Sequence, residues 1–282
     1  MWDKLVYVLV IIIVTFLFKH KLYNTLKCAQ YYIKFCFIFF VLAFNSFIHI
    51  PLLIWNGKNV KNGRIIVGTA KFIGRLLGIT WHIRNAEILS ENSGAVIISN
   101  HQSVLDIMHV CQLWLVHDKV VVVVKKELFY FWPFGFAIYM TDGIFLDRRN
   151  PTVATQLLLN KSKNLFQNKI KLLIFPEGTR NSDLTKFLPF KKGAFNIAVQ
   201  AQVPIIPIVV SRYYFLNHTR RIFSNGHVIA KCLEPVSTEG LTMDDIPDLI
   251  NRVQGTMEKV YQELSHEVTK DLLSDYPLAT KD

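Results

Sequence analysis

The sequence predicts an α/β domain, a largely parallel sheet flanked by helices, behind an N-terminal hydrophobic helical membrane anchor. Three observations carry that expectation. Charge is scarce at the front, where residues 1–57 hold five Lys and one Asp, about 11% charged against 21% in the remaining 225 residues. From about residue 58, short β-branched runs alternate with amphipathic stretches, the pattern of strands separated by crossover helices. Two of those runs end directly in polar residues of chemical use, at the sheet edge where ligands of open α/β folds collect. The expected division is an anchoring segment at 1–57 and a globular domain at 58–282.

The anchor contains two apolar runs. Leu5 to Phe18 carries no charge and is short for a spanning helix, which needs about 20 residues. Phe35 to Trp55 is long enough but is broken by Asn45, His49 and Pro51. A basic stretch, Lys19 to Lys27, separates them, so two helices are expected. No small-residue cleavage pattern follows the first run, which favours a retained anchor over a signal peptide. Lysines at 19, 21 and 27 and basic residues from Lys58 to Arg75 pull orientation in opposite senses by the positive-inside rule.

Behind the anchor, Ala95–Ser99, Val120–Val124, Gly143–Leu146, Lys171–Phe175, Ile205–Val210 and Val228–Cys232 read as strands. Val104–Leu115, Thr152–Leu165 and Lys191–Gln200 read as helices, and apolar residues from Ile246 to Leu264 follow helical spacing. Pro204 and Pro207 argue that their strand lies at an edge or that the prolines mark its beginning. Leu128–Met140 packs seven aromatics into thirteen residues and reads either as a buried helix or as a surface dipping into a bilayer.

Net charge is +11, split +4 and +7 between the two parts. Without zinc-finger spacing, an RNA-binding aromatic signature or a long basic tract, that balance points to a membrane surface and phosphate-bearing ligands rather than nucleic acid. Cys28, Cys36, Cys111 and Cys232 form no C-x-x-C pair and read as buried thiols, with no metal site expected.

Two constellations carry chemistry. In Asn100-His101-Gln102-Ser103-Val104-Leu105-Asp106, a histidine follows a buried strand and opens a helix. A neutral imidazole accepts protons near pH 7, and a carboxylate just over one turn away can hold its other nitrogen. Ser103 is placed to cap the helix. The bland alternative is a loop histidine with structural hydrogen bonds. His266 and Asp271 have the same spacing but no preceding strand, and they read as solvated surface. In Phe175-Pro176-Glu177-Gly178-Thr179-Arg180, Gly178 permits close backbone approach, Thr179 offers a hydroxyl and Arg180 a planar fork for phosphate. An ordinary turn with a solvated arginine is the rival reading. A further strand, Gly143-Ile-Phe-Leu, ends in Asp147-Arg148-Arg149. Neither a nucleotide-binding P-loop nor a G-x-S-x-G elbow occurs.

NHQSVLD, GIFLDRR, FPEGTR and VPIIPIVV, in that order, resemble the four blocks of the glycerolipid acyltransferases, and most closely the 1-acyl-sn-glycerol-3-phosphate acyltransferases. The resemblance spans about residues 58 to 265 and implies that family's fold. It implies His101 as general base, Asp106 as its partner, and Glu177, Gly178, Thr179, Arg180 and Arg148 as contacts of the glycerol phosphate. Lys125 is a further phosphate candidate. The implied reaction moves an acyl group from acyl-CoA to the sn-2 hydroxyl of lysophosphatidic acid. Acyl-CoA is then a co-substrate and no cofactor is expected. The partners implied are these two lipids and the bilayer, in the endoplasmic reticulum membrane. Another acceptor on the same fold, or a non-catalytic membrane-binding protein, are the rival readings.

Overall fold

The computed structural model describes residues 2–68, 70–147, 149–181, 183–270 and 272. A single helix, α1 (Trp2–Asn56), takes up the whole front segment, so the two helices expected there are one. The basic stretch 19–27 is helical, not a loop. Side chains without a branch at Cβ, such as Lys and Leu, keep good helix propensity, and nothing in that stretch breaks the ladder. The helix ends where Gly57 adopts φ +66°, a left-handed conformation suited to glycine.

The elements that follow are α2 (Asn62–Ile66), α3 (Ala70–Leu77), β1 (Ile79–Arg84), β2 (Ala95–Ser99), α4 (Asp106–Val116), β3 (Val120–Lys125), α5 (Phe134–Met140), β4 (Ile144–Leu146), α6 (Pro151–Gln167) and β5 (Lys171–Ile174). After them come α7 (Lys192–Ala201), β6 (Ile205–Val210), β7 (Leu216–Asn217), β8 (Ile222–Phe223), β9 (Gly226–Cys232) and α8 (Ile246–Lys270). Seven strands form one sheet in the order β1-β9-β6-β2-β5-β3-β4, while β7 and β8 make a small separate ribbon. Every neighbour pair in the large sheet is parallel except β6 with β9. Helix α7 contacts both α6 and α8, and the three pack on the sheet, α6 on β5, α7 on β2 and α8 on β6 and β9. Helices α2, α3 and α4 pack together elsewhere on the sheet, with α1 against α2 and α3.

The central strands explain the layering. All residues of β2 (AVIIS) and β6 (IIPIVV) are buried, as a sheet covered on both faces requires. Pro204 stands directly before β6, at the strand's beginning, but the edge position is corrected: β6 is an interior strand, between β9 and β2, although it contains Pro207. The ladder shows how. Ile205 exchanges bonds with Val236 on the side away from β2, at 2.9 and 2.8 Å, and alternation turns Pro207 the same way. There its carbonyl accepts the Leu233 N–H at 2.8 Å, beyond the last β6–β9 pair, Ile208 with Cys232. The missing proline N–H therefore faces the end of a ladder and removes no rung.

The second apolar run of α1 is two-faced. Ile38, Leu42 and Leu53 are buried against the domain, while Phe40, Phe44, Phe47, Ile54 and Trp55 are exposed. Asn45, which interrupts that run, is buried and donates to the Ile66 carbonyl at 2.6 Å. The polar residue is thus a docking contact. The 128–140 stretch divides between its two expected roles. Phe134, Ala137, Ile138 and Met140 of α5 are buried, while Phe129, Tyr130, Phe131 and Trp132 are exposed. Phe131 and Trp132 pack edge-on against Phe39 and Phe47 of α1, with ring centroids 6.1 and 6.0 Å apart. All four cysteines are free thiols. Cys111 and Cys232 are buried, but Cys36, expected inside, is exposed on α1.

Candidate active site

The strands that carry the candidate residues run in parallel and end on one edge. Ile98 of β2 lies opposite Ile174 of β5, and Val122 of β3 opposite Leu173. The segments after β2 and after β5 therefore leave the sheet side by side, and Lys125 ends β3 on the same edge.

His101 follows β2, and its Nδ1 lies 2.6 Å from Asp106 Oδ2. An ionised carboxylate only accepts, so the proton in that bond sits on Nδ1 and Nε2 is left as the basic nitrogen. Asp106 is 2% exposed and fully engaged. Its Oδ2 also accepts the N–H groups of Gln102 (2.8 Å) and Ser103 (3.1 Å), and its Oδ1 accepts the Tyr213 hydroxyl at 2.7 Å. Burial, then the adjacent carboxylate, pushes the Tyr213 phenol well above the ordinary tyrosine range, so it remains a donor. The expected helix cap is different from the one observed. Of the backbone amides that open the helix, Ser103 Oγ accepts the Leu105 N–H, at 3.3 Å, and the Asp106 carboxylate collects its neighbours instead.

Three side chains not singled out by sequence hold the same loop. Phe175 stacks on the His101 ring, centroids 4.2 Å apart at 20°. Asn100 exchanges two bonds with the Val210 backbone, at 2.9 and 2.8 Å, completing a rung beyond β2. Gln102 bonds to Val210, Ser211 and Tyr213 main chain. Only their nearness in sequence to His101 or the FPEGTR block signals Asn100, Gln102 and Phe175. Tyr213, far along the chain, has no such signal.

Glu177 holds the main chain of the His101 loop. Its Oε1 accepts the His101 N–H at 2.7 Å and its Oε2 the Leu188 N–H at 3.1 Å. It is 2% exposed, and burial lifts its carboxyl above the usual glutamate range against the pull of those donors. In return, the Asn181 N–H donates to the His101 carbonyl at 2.8 Å. Gly178 sits at φ +71°, and a Cβ there would meet the Lys191 ammonium at 2.8 Å. Thr179 and Arg180 are exposed on the same edge. Lys125 is exposed and paired with Glu127 at 3.2 Å. Arg148 lies outside the described residues, as does Asp271, whose spaced partner His266 is exposed on α8. Among the described residues there is no cluster of His, Cys, Asp and Glu arranged to hold a metal ion.

Residues 80–211 match the family model described as Acyltransferase. The human 1-acyl-sn-glycerol-3-phosphate acyltransferase alpha is 37% identical over 238 residues, covering 84% of this chain and 83% of that protein. The Haemophilus influenzae 1-acyl-sn-glycerol-3-phosphate acyltransferase is 35% identical over 216 residues, covering 76% and 87%. The crystal structure of the 1-acyl-sn-glycerophosphate (LPA) acyltransferase PlsC from Thermotoga maritima shares the fold, with a TM-score of 0.62 at 23% identity over 87% of this chain and 98% of that one. With a buried carboxylate fixing one imidazole at the carboxyl edge of a matching sheet, this chain belongs to the 1-acyl-sn-glycerol-3-phosphate acyltransferases of the acyltransferase family.

Proposed function

We propose that this protein transfers a fatty acyl group from acyl-CoA to the sn-2 hydroxyl of 1-acyl-sn-glycerol-3-phosphate, forming phosphatidic acid, with His101 as general base. The observation that carries the reading is the 2.6 Å bond from His101 Nδ1 to a fully engaged Asp106. It fixes the ring so that Nε2 can take a proton, and the buried anion stabilises the imidazolium that results. The acceptor hydroxyl gives its proton to Nε2 as its oxygen attacks the thioester carbonyl. The carbon–sulfur bond then breaks, and the leaving CoA thiolate takes the proton back from His101. Because the thioester is already activated, the step calls for no resident cofactor.

Glu177 acts in this reading as a positioning residue, holding the His101 backbone. Exposed Arg180, with Thr179 and Gly178, faces the acceptor phosphate, and Arg148 and Lys125 are its further candidates. The exposed apolar face of α1 and the aromatic shelf at 129–132 seat the enzyme in lipid, where both acyl chains already reside. The membrane is that of the endoplasmic reticulum, by family resemblance.

One assay tests this. Purified full-length protein in nanodiscs should release CoA thiol when given acyl-CoA and lysophosphatidic acid, and far less with glycerol-3-phosphate. His101→Ala should lower that rate by about 10²–10⁴-fold with the fold retained. Near-normal release by His101→Ala would remove the base assignment. Equal turnover of glycerol-3-phosphate would remove the acceptor assignment.

A further inference from the structure

The anchor helix reaches the catalytic loop through one side chain that the proposed chemistry does not use. His218 lies in the turn between β7 and β8. Its Nδ1 is 2.7 Å from the Tyr31 hydroxyl of α1, and its Nε2 is 3.4 Å from Ser103 Oγ. The imidazole is framed by Tyr31 and Phe35, with ring centroids at 6.0 and 5.7 Å. Ser103 in turn is buried and donates its N–H to Asp106, the carboxylate that orients His101. The path from helix to base is therefore Tyr31, His218, Ser103, Asp106, His101, with a hydrogen bond at each step.

The hydroxyls at both ends of the bridge can each donate or accept, so either neutral tautomer of His218 completes it. With the proton on Nε2, Tyr31 donates to Nδ1 and Ser103 accepts. With the proton on Nδ1, both directions reverse. Burial, then the positive charge of Arg180 in the FPEGTR block, pulls this imidazole below the ordinary histidine range. The helix is firmly seated here. Lys34 donates to the Leu77 carbonyl at 2.9 Å and to Asn225 Oδ1 at 3.3 Å, and the Arg221 guanidinium lies 5.8 Å from the Tyr32 ring centroid.

We infer that His218 is a positioning residue, tying Tyr31 of the anchor helix to Ser103 so that alignment of the His101–Asp106 pair depends on the seating of α1. This rests on the acyltransferase reading above for its kinetic consequence, but not for its structural one. The bridge sets geometry at the base, so its loss lowers kcat and leaves substrate affinity in place.

The test uses the full chain in nanodiscs, with Tyr31→Phe, Ser103→Ala, the double variant and His218→Gln. Each single removal of a bridge hydroxyl should lower kcat about five- to tenfold, the worth of one hydrogen bond, with KM for both substrates held within about twofold. The double variant should be no slower than the slower single variant, since both break one chain. His218→Gln, which keeps one donor and one acceptor, should lie between Tyr31→Phe and the parent. Additive losses, a loss confined to KM, or unchanged kcat would overturn the inference. Hydrogen exchange gives a readout free of the acyltransferase reading. The amides of residues 100–106 should exchange faster in Tyr31→Phe, with protection of β2 and β6 unchanged. Unchanged exchange at 100–106, or a general loss of protection, would overturn the bridge. A parent protein without acceptor-dependent CoA release would instead overturn the proposed function.

Discussion

Asp106 does more than face a histidine. Its two oxygens gather one imidazole, two backbone amides and one phenol, all within 3.1 Å. Charge-assisted bonds of this kind are the strong ones, and they explain why a carboxylate can be almost wholly buried. Asp106→Asn keeps the shape and removes the charge, so the imidazolium loses its counter-ion. The expected result is a fall in kcat of about 10²-fold or more with little change in KM, measured by CoA release. Tyr213→Phe removes one donor from Oδ1 at the centre of the same group. Its expected cost is about 1 kcal/mol of stability, read from denaturant midpoints in detergent, with a smaller kinetic loss than Asp106→Asn. Glu177→Gln replaces one acceptor by a donor facing a backbone N–H. That leaves a buried amide unsatisfied and should destabilise by about 1–3 kcal/mol, with the amides of His101 and Leu188 exchanging faster.

At the scale of elements, the sheet has a working end and a structural end. The structural end contains Lys171, the first residue of β5, which is fully buried. Its ammonium donates to the carbonyls of Glu91 (2.6 Å) and Ser93 (3.2 Å), tying down the loop before β2. Burial pulls its pKa down to about 8. In the unfolded chain an ordinary lysine stays protonated to about 10.4. Between these values the unfolded state binds more protons, so stability rises with pH from about 8 upward and is flat in this respect below it. The expected gain is at most about 3 kcal/mol across that window. Lys171→Met should lose this slope, and denaturant unfolding at pH 7.5, 8.5 and 9.5 compares the two. The working end is organised by β2 and β5, whose paired termini set the His101 and Glu177 loops side by side.

For the whole molecule, the proposed function makes the arrangement of α1 the means by which the enzyme meets lipid. One face of its second half is committed to the domain, and the other continues into Phe131 and Trp132. Burying an aromatic side chain is worth about 1.5–3 kcal/mol, so a shelf seated in lipid would add to the hold of the helix. Among five tryptophans, Trp132 should contribute to quenching by brominated lipids. Trp132→Phe should reduce the quenched fraction in vesicles, and an unchanged fraction would place the shelf in water.

The parallel strands at 95–99, 120–125, 171–174 and 205–210, the helices after them and the His101–Asp106 pair were legible in the sequence alone. Periodicity and an apolar run report burial locally, and a spacing of five across a helix start keeps a partner within reach. The same local reasoning failed where the deciding neighbour was distant. Pro207 signalled an edge because nothing in its own stretch reveals that its nitrogen faces the end of a ladder. The stretch 19–27 looked like a loop because its charge was visible and the continuous helix through it was not. Strand β1 lacks a buried run and shows its pairing only beside β9. Likewise Tyr213, the grip of Glu177 on the His101 backbone and the reach of His218 from α1 to Ser103 arise from chain segments between 76 and 187 residues apart. Residue types and their period determined that a histidine with its carboxylate and an arginine would share one sheet edge behind an apolar helix. Which groups hold them in place was decided by tertiary packing, because a hydrogen bond depends on where two atoms meet and not on how far apart they lie in the chain.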